Sequence, residues 1–499
     1  MNESQSSNEM PNLAEVRMPE PSRRRRYLIL AICCMSLLIV GLDITIVNVA
    51  LPSIRRELHA SVSGLQWTIA AYTLVLASLL MLSGSTADRI GRRRVFQAGL
   101  VTFTAGSLLC SLAPSLGWLI AFRMVQAVGG SMLNPVAMSI ITNTFTDRAE
   151  RARAIGVWGG VIGISMALGP VLGGILVASV GWRGIFWVNV PIGLAALVLT
   201  GLFVPESRAA RARRIDPVGQ VLVIIILGSL TYGIIEGPAS GWTSPKIIFF
   251  FALSAAALAA LLLYEPRRDE PLLDLRFFSS APFAGATVIA VSAFAALGGF
   301  LFLNTLYLQD ARGFSALHAG LYTLPMAAMT VIFGPLSGRI VASRGARLPL
   351  VVAGLAIAAG CLLLTGLTND TPAGWLFLAY VIFGIGFGLV NAPITNAAVS
   401  GMPVAQAGVA AGIASASRQV GQSLGVAVTG SLVMSGIHGS LAASLAEASH
   451  AGWWTLACCG VVVFVLGWLT TGRWALATAA RTAARLQPAA AAARPVRTP

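Results

Sequence analysis

The feature that leaves this chain fewest choices is a repetition of apolar runs, each about twenty residues long, from near its start almost to its end. The first extends from Tyr27 to Ala50 and contains one charged residue, Asp43. At about 1.5 Å of rise per helical residue, such a run crosses the roughly 30 Å of bilayer hydrocarbon. Lipid offers no partner for a peptide N–H or C=O, so a spanning run must satisfy its bonds internally and is predicted to be a helix. We read about fourteen runs of this kind, joined by short polar links. The composition agrees: 56% of the 499 residues are hydrophobic and 11% are charged, against about 25% charged in a soluble domain. The fold class expected is an all-α polytopic membrane protein.

The net charge of +15 follows the same architecture. With the N-terminus inside, Arg23 to Arg26, Arg89, Arg92 to Arg94, Arg148, Arg151, Arg153, Arg208, Arg339, Arg344, Arg347 and Arg473 fall on the cytoplasmic side, while the outer links keep Arg55, Arg56, Arg183, Lys246 and Arg312. This is the positive-inside asymmetry, and an even number of spans returns the C-terminus to the cytoplasm. The expected location is therefore the cytoplasmic (inner) membrane, with anionic lipid rather than nucleic acid as the partner of the positive charge. Residues 1–22 and 475–499 are polar or rich in Ala, Pro and Arg, and are expected to be disordered cytoplasmic tails.

Several chemistries are excluded or disfavoured. The six cysteines lie within apolar runs without metal-ligand spacing, so no metal is expected. A phosphate-binding loop needs a Gly-rich turn ending in Lys-Ser or Lys-Thr, and the only lysine, Lys246, follows Ser-Pro. The chain thus has no ATP motor of its own, and neither an enzymatic activity nor a cofactor is expected.

Among titratable groups, the four histidines, His59, His318, His438 and His450, fall in outer links or at helix ends, and Glu236 and Asp310 stand at outer helix ends. Asp43 alone lies well inside the membrane. It is nine positions before Pro52, hence about 13 Å deep, and Arg123, eight positions after Ser115, comes out at about 12 Å. An intramembrane charge costs about 2.5 to 3.5 kcal/mol on insertion scales and marks a working group by default. Two readings stand side by side: Asp43 exchanges protons under the influence of Arg123, or the two form a permanent ion pair that fixes helix packing.

The stretch "GSTADRIGRRR" (84–94) has a degenerate copy, "GPLSGRIVASRGAR" (334–347), at the end of the tenth run. If the tenth run corresponds to the second, runs nine to fourteen repeat runs one to six. The division is then 23–206, a six-helix bundle; 207–270, a two-helix insert; and 271–474, a second six-helix bundle. Two repeats around a midplane site is a transporter plan.

These segments resemble the major facilitator superfamily, and within it the fourteen-span drug:proton antiporters of the EmrB/QacA type. The resemblance rests on "GSTADRIGRRR", on "RMVQAVGGS" (123–131, with Ala127 where Gly is usual), on "GVIGISMALGPVLGGIL" (160–176) and on "LDITIVNVALP" (42–52). It is extended by "WRGIFWVNVPIG" (182–193), "PLLDLRFF" (271–278) and "RQVGQSLGVAV" (418–428). It implies the major facilitator fold with two inserted helices, and it makes the helices of Asp43 and Arg123 neighbours. Gly84, Asp88, Arg89, Gly91 and Arg92 would form a latch of the outward-facing conformation, with Asp88 facing the thirteenth helix near Gly408 or pairing with an arginine. Gly160, Gly169, Pro170, Gly173 and Gly174 would form the antiporter helix, whose glycines, four apart, permit close backbone packing. Asn48, Gln126, Asn134, Trp158, Tyr307, Asn391, Arg418 and Gln422 are candidates for the substrate cavity.

The function expected is proton-coupled export of drug-like, amphipathic or cationic small molecules, conferring resistance, by a monomer driven by the proton gradient. A dedicated exporter of one endogenous metabolite or self-made antibiotic, an importer, and a non-transporting membrane sensor remain as alternatives. The sequence does not specify a periplasmic adaptor.

Overall fold

The computed structural model describes residues 22–209, 215–268, 270–400, 402, 404–437 and 441–486, and all regular structure among them is helical. The long helices are α1 (Arg23–Leu58), α2 (Val62–Ile90), α3 (Arg92–Ser111), α4 (Leu116–Thr144), α5 (Arg148–Val180), α6 (Gly184–Phe203) and α7 (Pro217–Ser240). They continue as α8 (Pro245–Tyr264), α9 (Ala281–Leu306), α10 (Ala316–Arg344), α11 (Arg347–Leu362), α12 (Ala373–Val399), α13 (Val404–Gly436) and α14 (Ser444–Leu469). Among the described residues eleven helices are long and apolar enough to cross a membrane; α3 and α13 fall outside that set and α11 is shorter. The expected tail 1–22 lies outside the described residues except for Ser22.

Local chemistry sets many of the helix ends. Ser22, Ser61, Asp147, Asp216 and Ser244 each accept a backbone N–H of the first turn, and Pro217 and Pro245 open α7 and α8 where no donor is needed. Gly91 ends α2 at φ +127°, a conformation that disfavours any side chain. α1 passes through Pro52 and runs on to Leu58, beyond the apolar run that predicts it.

The tail expected to be disordered from 475 is instead helical as far as Leu486, forming α15 (Arg473–Leu486). Ala475, Ala479, Thr482 and Leu486 are buried at helical spacing while Arg473 and Arg485 stay outside. Alanine's helix propensity and this one-sided spacing explain the difference.

Two groups of helices face each other. In the first, α1 packs on α5, α4 on α2 and α3, and α6 on α3; in the second, α9 packs on α13 and α14, α12 on α10, and α11 on α12 and α14. Between the groups, α2 lies along α13 and α5 along α10. α7 touches both: Gln220 donates to the Ser78 carbonyl of α2 at 2.6 Å, and Ser431 of α13 donates to the Ile234 carbonyl at 2.5 Å.

The end of the molecule away from Arg89 and Arg92 to Arg94 is bonded shut. Gln309, in the π-helical turn that follows α9, donates to the Val49 carbonyl at 2.8 Å, and Arg55 pairs with Asp310 at 3.3 Å. Gln66 of α2 donates to the Val426 and Ala427 carbonyls of α13 at 3.2 and 2.7 Å. A Cβ on Gly174 would lie 2.6 Å from Leu317 Cα, and one on Gly320 would strike the Pro170 carbonyl, so α5 and α10 meet backbone to backbone there. Toward the arginine-rich end the same helices part: Gly156, Gly159, Gly160 and Gly408 are exposed, and a Cβ on any of them would meet nothing within 4 Å.

Candidate functional site

Asp43 sits on α1 with its side chain turned into the first helix group, 0% exposed, and Arg123 of α4 is 1% exposed. Arg123 Nη1 donates to Asp43 Oδ2 and, at 2.8 Å, to Gln126 Oε1. Gln126 Nε2 returns a bond to Asp43 Oδ1 at 2.9 Å, and Asn189 Nδ2 of α6 reaches the same oxygen at 3.3 Å. Both carboxylate oxygens therefore accept from donors. The guanidinium is held by the Thr68 carbonyl at 3.3 Å and by the Tyr72 ring, 4.1 Å from its centroid. Ser107 of α3 accepts from Asn189 at 3.1 Å and donates to the Phe186 carbonyl at 2.9 Å. Five helices thus contribute to one network around a single carboxylate.

The second group carries a neutral counterpart. Arg123 is seven positions after Leu116, the start of α4, and Tyr380 is seven positions after Ala373, the start of α12. Tyr380 donates to Asn304 of α9, both buried, beneath Phe300, which stacks on Phe383 at 4.3 Å. A tyrosine and an asparagine there replace the arginine and the aspartate.

Of the loop segment expected to act as a latch, Asp88 pairs with Arg92 at 2.8 Å. The segment after α6 holds the loop from the other side. Arg92 N–H donates to the Ser207 carbonyl at 2.9 Å, Arg93 N–H to Glu206 at 3.1 Å, and Ala209 N–H to the Asp88 carbonyl at 3.1 Å. A Cβ on Gly91 would fall 2.6 Å from Glu206 Oε1. A Cβ on Gly84 would lie 3.9 Å from Pro135, and Arg89 is exposed.

On α5 the expected glycines divide by position. Gly169 and Gly173 seat against Thr45 and Ile46 of α1, Gly174 against α10, and Pro170 lends its carbonyl to the contact with Gly320. Gly160 packs against nothing.

The cavity candidates also scatter. Gln126 belongs to the Asp43 network, not to a cavity. Tyr307 is buried, bonded through its hydroxyl to the Thr368 carbonyl at 2.6 Å near the closed end. Gln422 is buried against Gly298. Asn48 lines a narrow pocket between the groups with Thr45, Pro170, Asn304 and Gln309, and its Oδ1 has no partner. Asn134, Trp158, Asn391 and Arg418 are part-exposed on helices of the two facing groups, and Asn134 Oδ1, Trp158 Nε1 and Arg418 Nε are unpartnered. Sequence reasoning missed Asn189, Ser107 and Tyr72. Only Asn189 had a signal, as the polar residue inside "WRGIFWVNVPIG".

Residues 33–426 match the family model described as Major Facilitator Superfamily. The chain belongs to that superfamily. It is 38% identical over 430 residues to the "Multidrug resistance protein Stp" of Mycobacterium tuberculosis, covering 85% of this chain and 79% of that protein. It is also 38% identical, over 415 residues, to the "Tetracenomycin C resistance and export protein" of Streptomyces glaucescens, covering 83% and 77%. A solved D-xylose–proton symporter superposes with a TM-score of 0.65 at 16% identity, over 89% of this chain and 98% of that one. The major facilitator fold makes the chain a multi-pass membrane transporter rather than an enzyme.

Proposed function

We propose that this major facilitator protein is a proton-coupled antiporter that exports drug-like amphipathic molecules across the cytoplasmic membrane. Relatives named for multidrug resistance and for resistance to and export of a single antibiotic support the cargo class. In this reading α3, α11 and α13 cross the membrane as well, giving fourteen spans. The two helix groups are the rocking halves, α7 and α8 are the insert, the arginine-rich end faces the cytoplasm, and the conformation described is open inward.

The observation that carries proton coupling is the sealed Asp43–Arg123–Gln126–Asn189 network in one half, opposite a neutral Tyr380–Asn304 pair in the other. Both Asp43 oxygens accept from Arg123, Gln126 or Asn189, so a proton competes with these donors for the carboxylate. Protonation is thereby tied to a rearrangement of α4 against α1, and α1 is also the helix that seats Gly169 and Gly173 of α5. A proton entering down a membrane potential releases about 2.3 kcal/mol per 100 mV, enough to sustain a gradient of neutral cargo. No cofactor takes part; the proton gradient is the energy source.

The test is transport by purified protein in proteoliposomes with an imposed pH gradient. Wild type is expected to move drug against its gradient and to stop when an uncoupler is added. Asp43→Asn is expected to abolish this pH-driven flux while eluting as folded protein on size exclusion; unchanged uphill flux by that variant overturns the reading. The drug panel separates a broad exporter from one dedicated to a single antibiotic.

A further inference from the structure

Arg418 is a cation without an acid. It lies on α13 at the middle of the membrane, since α13 runs antiparallel to α2 with Gln66 against Val426 and Ala427 at one end and Met81 near Gly412 at the other. That alignment brings Arg418 level with Val75, about one turn from Tyr72 and therefore from the Asp43 network. Arg418 Nη2 donates to Thr395 Oγ1 of α12 at 2.6 Å and Nη1 to Ser415 Oγ at 3.4 Å, while the buried Nε–H has no acceptor among the described residues. No carboxylate pairs with it among the described residues, and the guanidinium stands 5.9 Å from the Phe294 ring centroid of α9.

The side chain lies on the open side of the molecule. Thr395 is exposed and Asn391, one turn away, is half-buried; on the same helix Phe387 packs edge-on against Phe294 at 5.2 Å. Toward the arginine-rich end, Gly408 of α13 and Gly160 of α5 are exposed as well. Among the described acidic residues, Asp43 alone lies at this level, and it is sealed against Arg123. Among the described residues Arg418 is thus a cation with no carboxylate partner beside the facing halves. In a poorly screening surround, that charge favours an anionic guest and opposes a cationic one.

We propose that Arg418, with Thr395, Ser415 and Phe294, is an anion-recognition point of the substrate cavity, and that the preferred cargo is an aromatic molecule carrying a carboxylate or an acidic phenol. This deepens the exporter reading and rests on it, and it narrows the expected drug-like, amphipathic or cationic cargo to anionic aromatic compounds. The two Nη groups, with N–H bonds beyond those given to Thr395 and Ser415, present the planar fork that a carboxylate accepts, while Phe294 supplies a face for the ring that bears it.

Fluorescein and rhodamine 123 share the xanthene frame and differ in charge, so their binding to the purified full-length protein at pH 8 is the test, read by fluorescence anisotropy with no ion gradient. Wild type is expected to bind fluorescein more tightly than rhodamine 123. Arg418→Gln is expected to weaken fluorescein about tenfold or more, the scale of a lost hydrogen-bonded charge, without weakening rhodamine 123; Arg418→Lys should recover part of the loss. Tighter binding of rhodamine 123 by wild type, or unchanged fluorescein binding by Arg418→Gln, overturns the proposal. If Arg418→Gln does not fold, unchanged fluorescein binding by Arg418→Lys, which loses the fork, overturns it equally. Because binding is read without a gradient, failure of this assay is distinct from failure of proton-driven flux.

Discussion

Asp43 is bound by donors from two helices, and their contributions differ in kind. Arg123 supplies charge and Gln126 closes a ring, accepting from the guanidinium and donating to the carboxylate; Asn189 adds one longer bond. Removing a buried partner leaves the remaining group unsatisfied, at about 1 to 3 kcal/mol for a neutral donor and about 3 to 5 kcal/mol for one member of a buried ion pair. Gln126→Ala is therefore expected to lower the thermal unfolding midpoint in detergent more than Asn189→Ala does, because it breaks two short bonds rather than the two longer ones Asn189 makes to Asp43 and Ser107. A smaller shift for Gln126→Ala would mean that the ring contributes little. The aspartate and the arginine were both legible, as charges at equal depth in apolar runs. Ser107 and Tyr72 were not, because a serine or a tyrosine in a spanning helix is unremarkable until its neighbours are known.

At the scale of the element, α5 carries glycines with opposite duties. Gly174 allows α10 to approach backbone to backbone, whereas Gly160 faces open space in this conformation. Gly174→Val is expected to prevent closure of the end away from the arginines and to stall the cycle. Its readout is a Thr323→Cys reporter in a background without the native cysteines: labelling by a membrane-impermeant maleimide from that side should rise. Gly160→Ala is expected to leave labelling unchanged and to stabilise the helix by up to about 1 kcal/mol through alanine's higher propensity. A comparable increase for both variants would remove the distinction. The sequence showed that these glycines recur four apart; it did not show which of them another backbone touches, since that depends on how the two halves are tilted. The helix over residues 473–486 was overlooked for a related reason: its few apolar positions gain a partner only once α9 and the turn at Leu275–Ser279 lie beneath them.

For the whole molecule, the closed end depends on few polar ties. Arg55–Asp310, with side chains 26% and 6% exposed, is a charged link between α1 of one half and the end of α9 in the other. Asp310→Asn is expected to weaken closure by about 1 kcal/mol, a shift of about fivefold in the open-to-closed ratio. The exchange Arg55→Asp with Asp310→Arg should restore it. Distance distributions between spin labels on Ser61 and Ser315 would report both. If the exchange fails to restore what the single substitution loses, the tie is not electrostatic.

The sequence alone determined what depends on residues counted along the chain. Apolar length set the helices, arginine spacing their expected orientation, and elimination of every other titratable group singled out Asp43. The tertiary structure decided whatever depends on which helices face each other: Gln126 joined to the aspartate instead of the cavity, Asp88 held by its own loop, and Arg418 left without a counter-charge. Helical periodicity fixes the face on which a side chain lies, but the neighbour on that face comes from packing between segments hundreds of residues apart, and no local pattern records it.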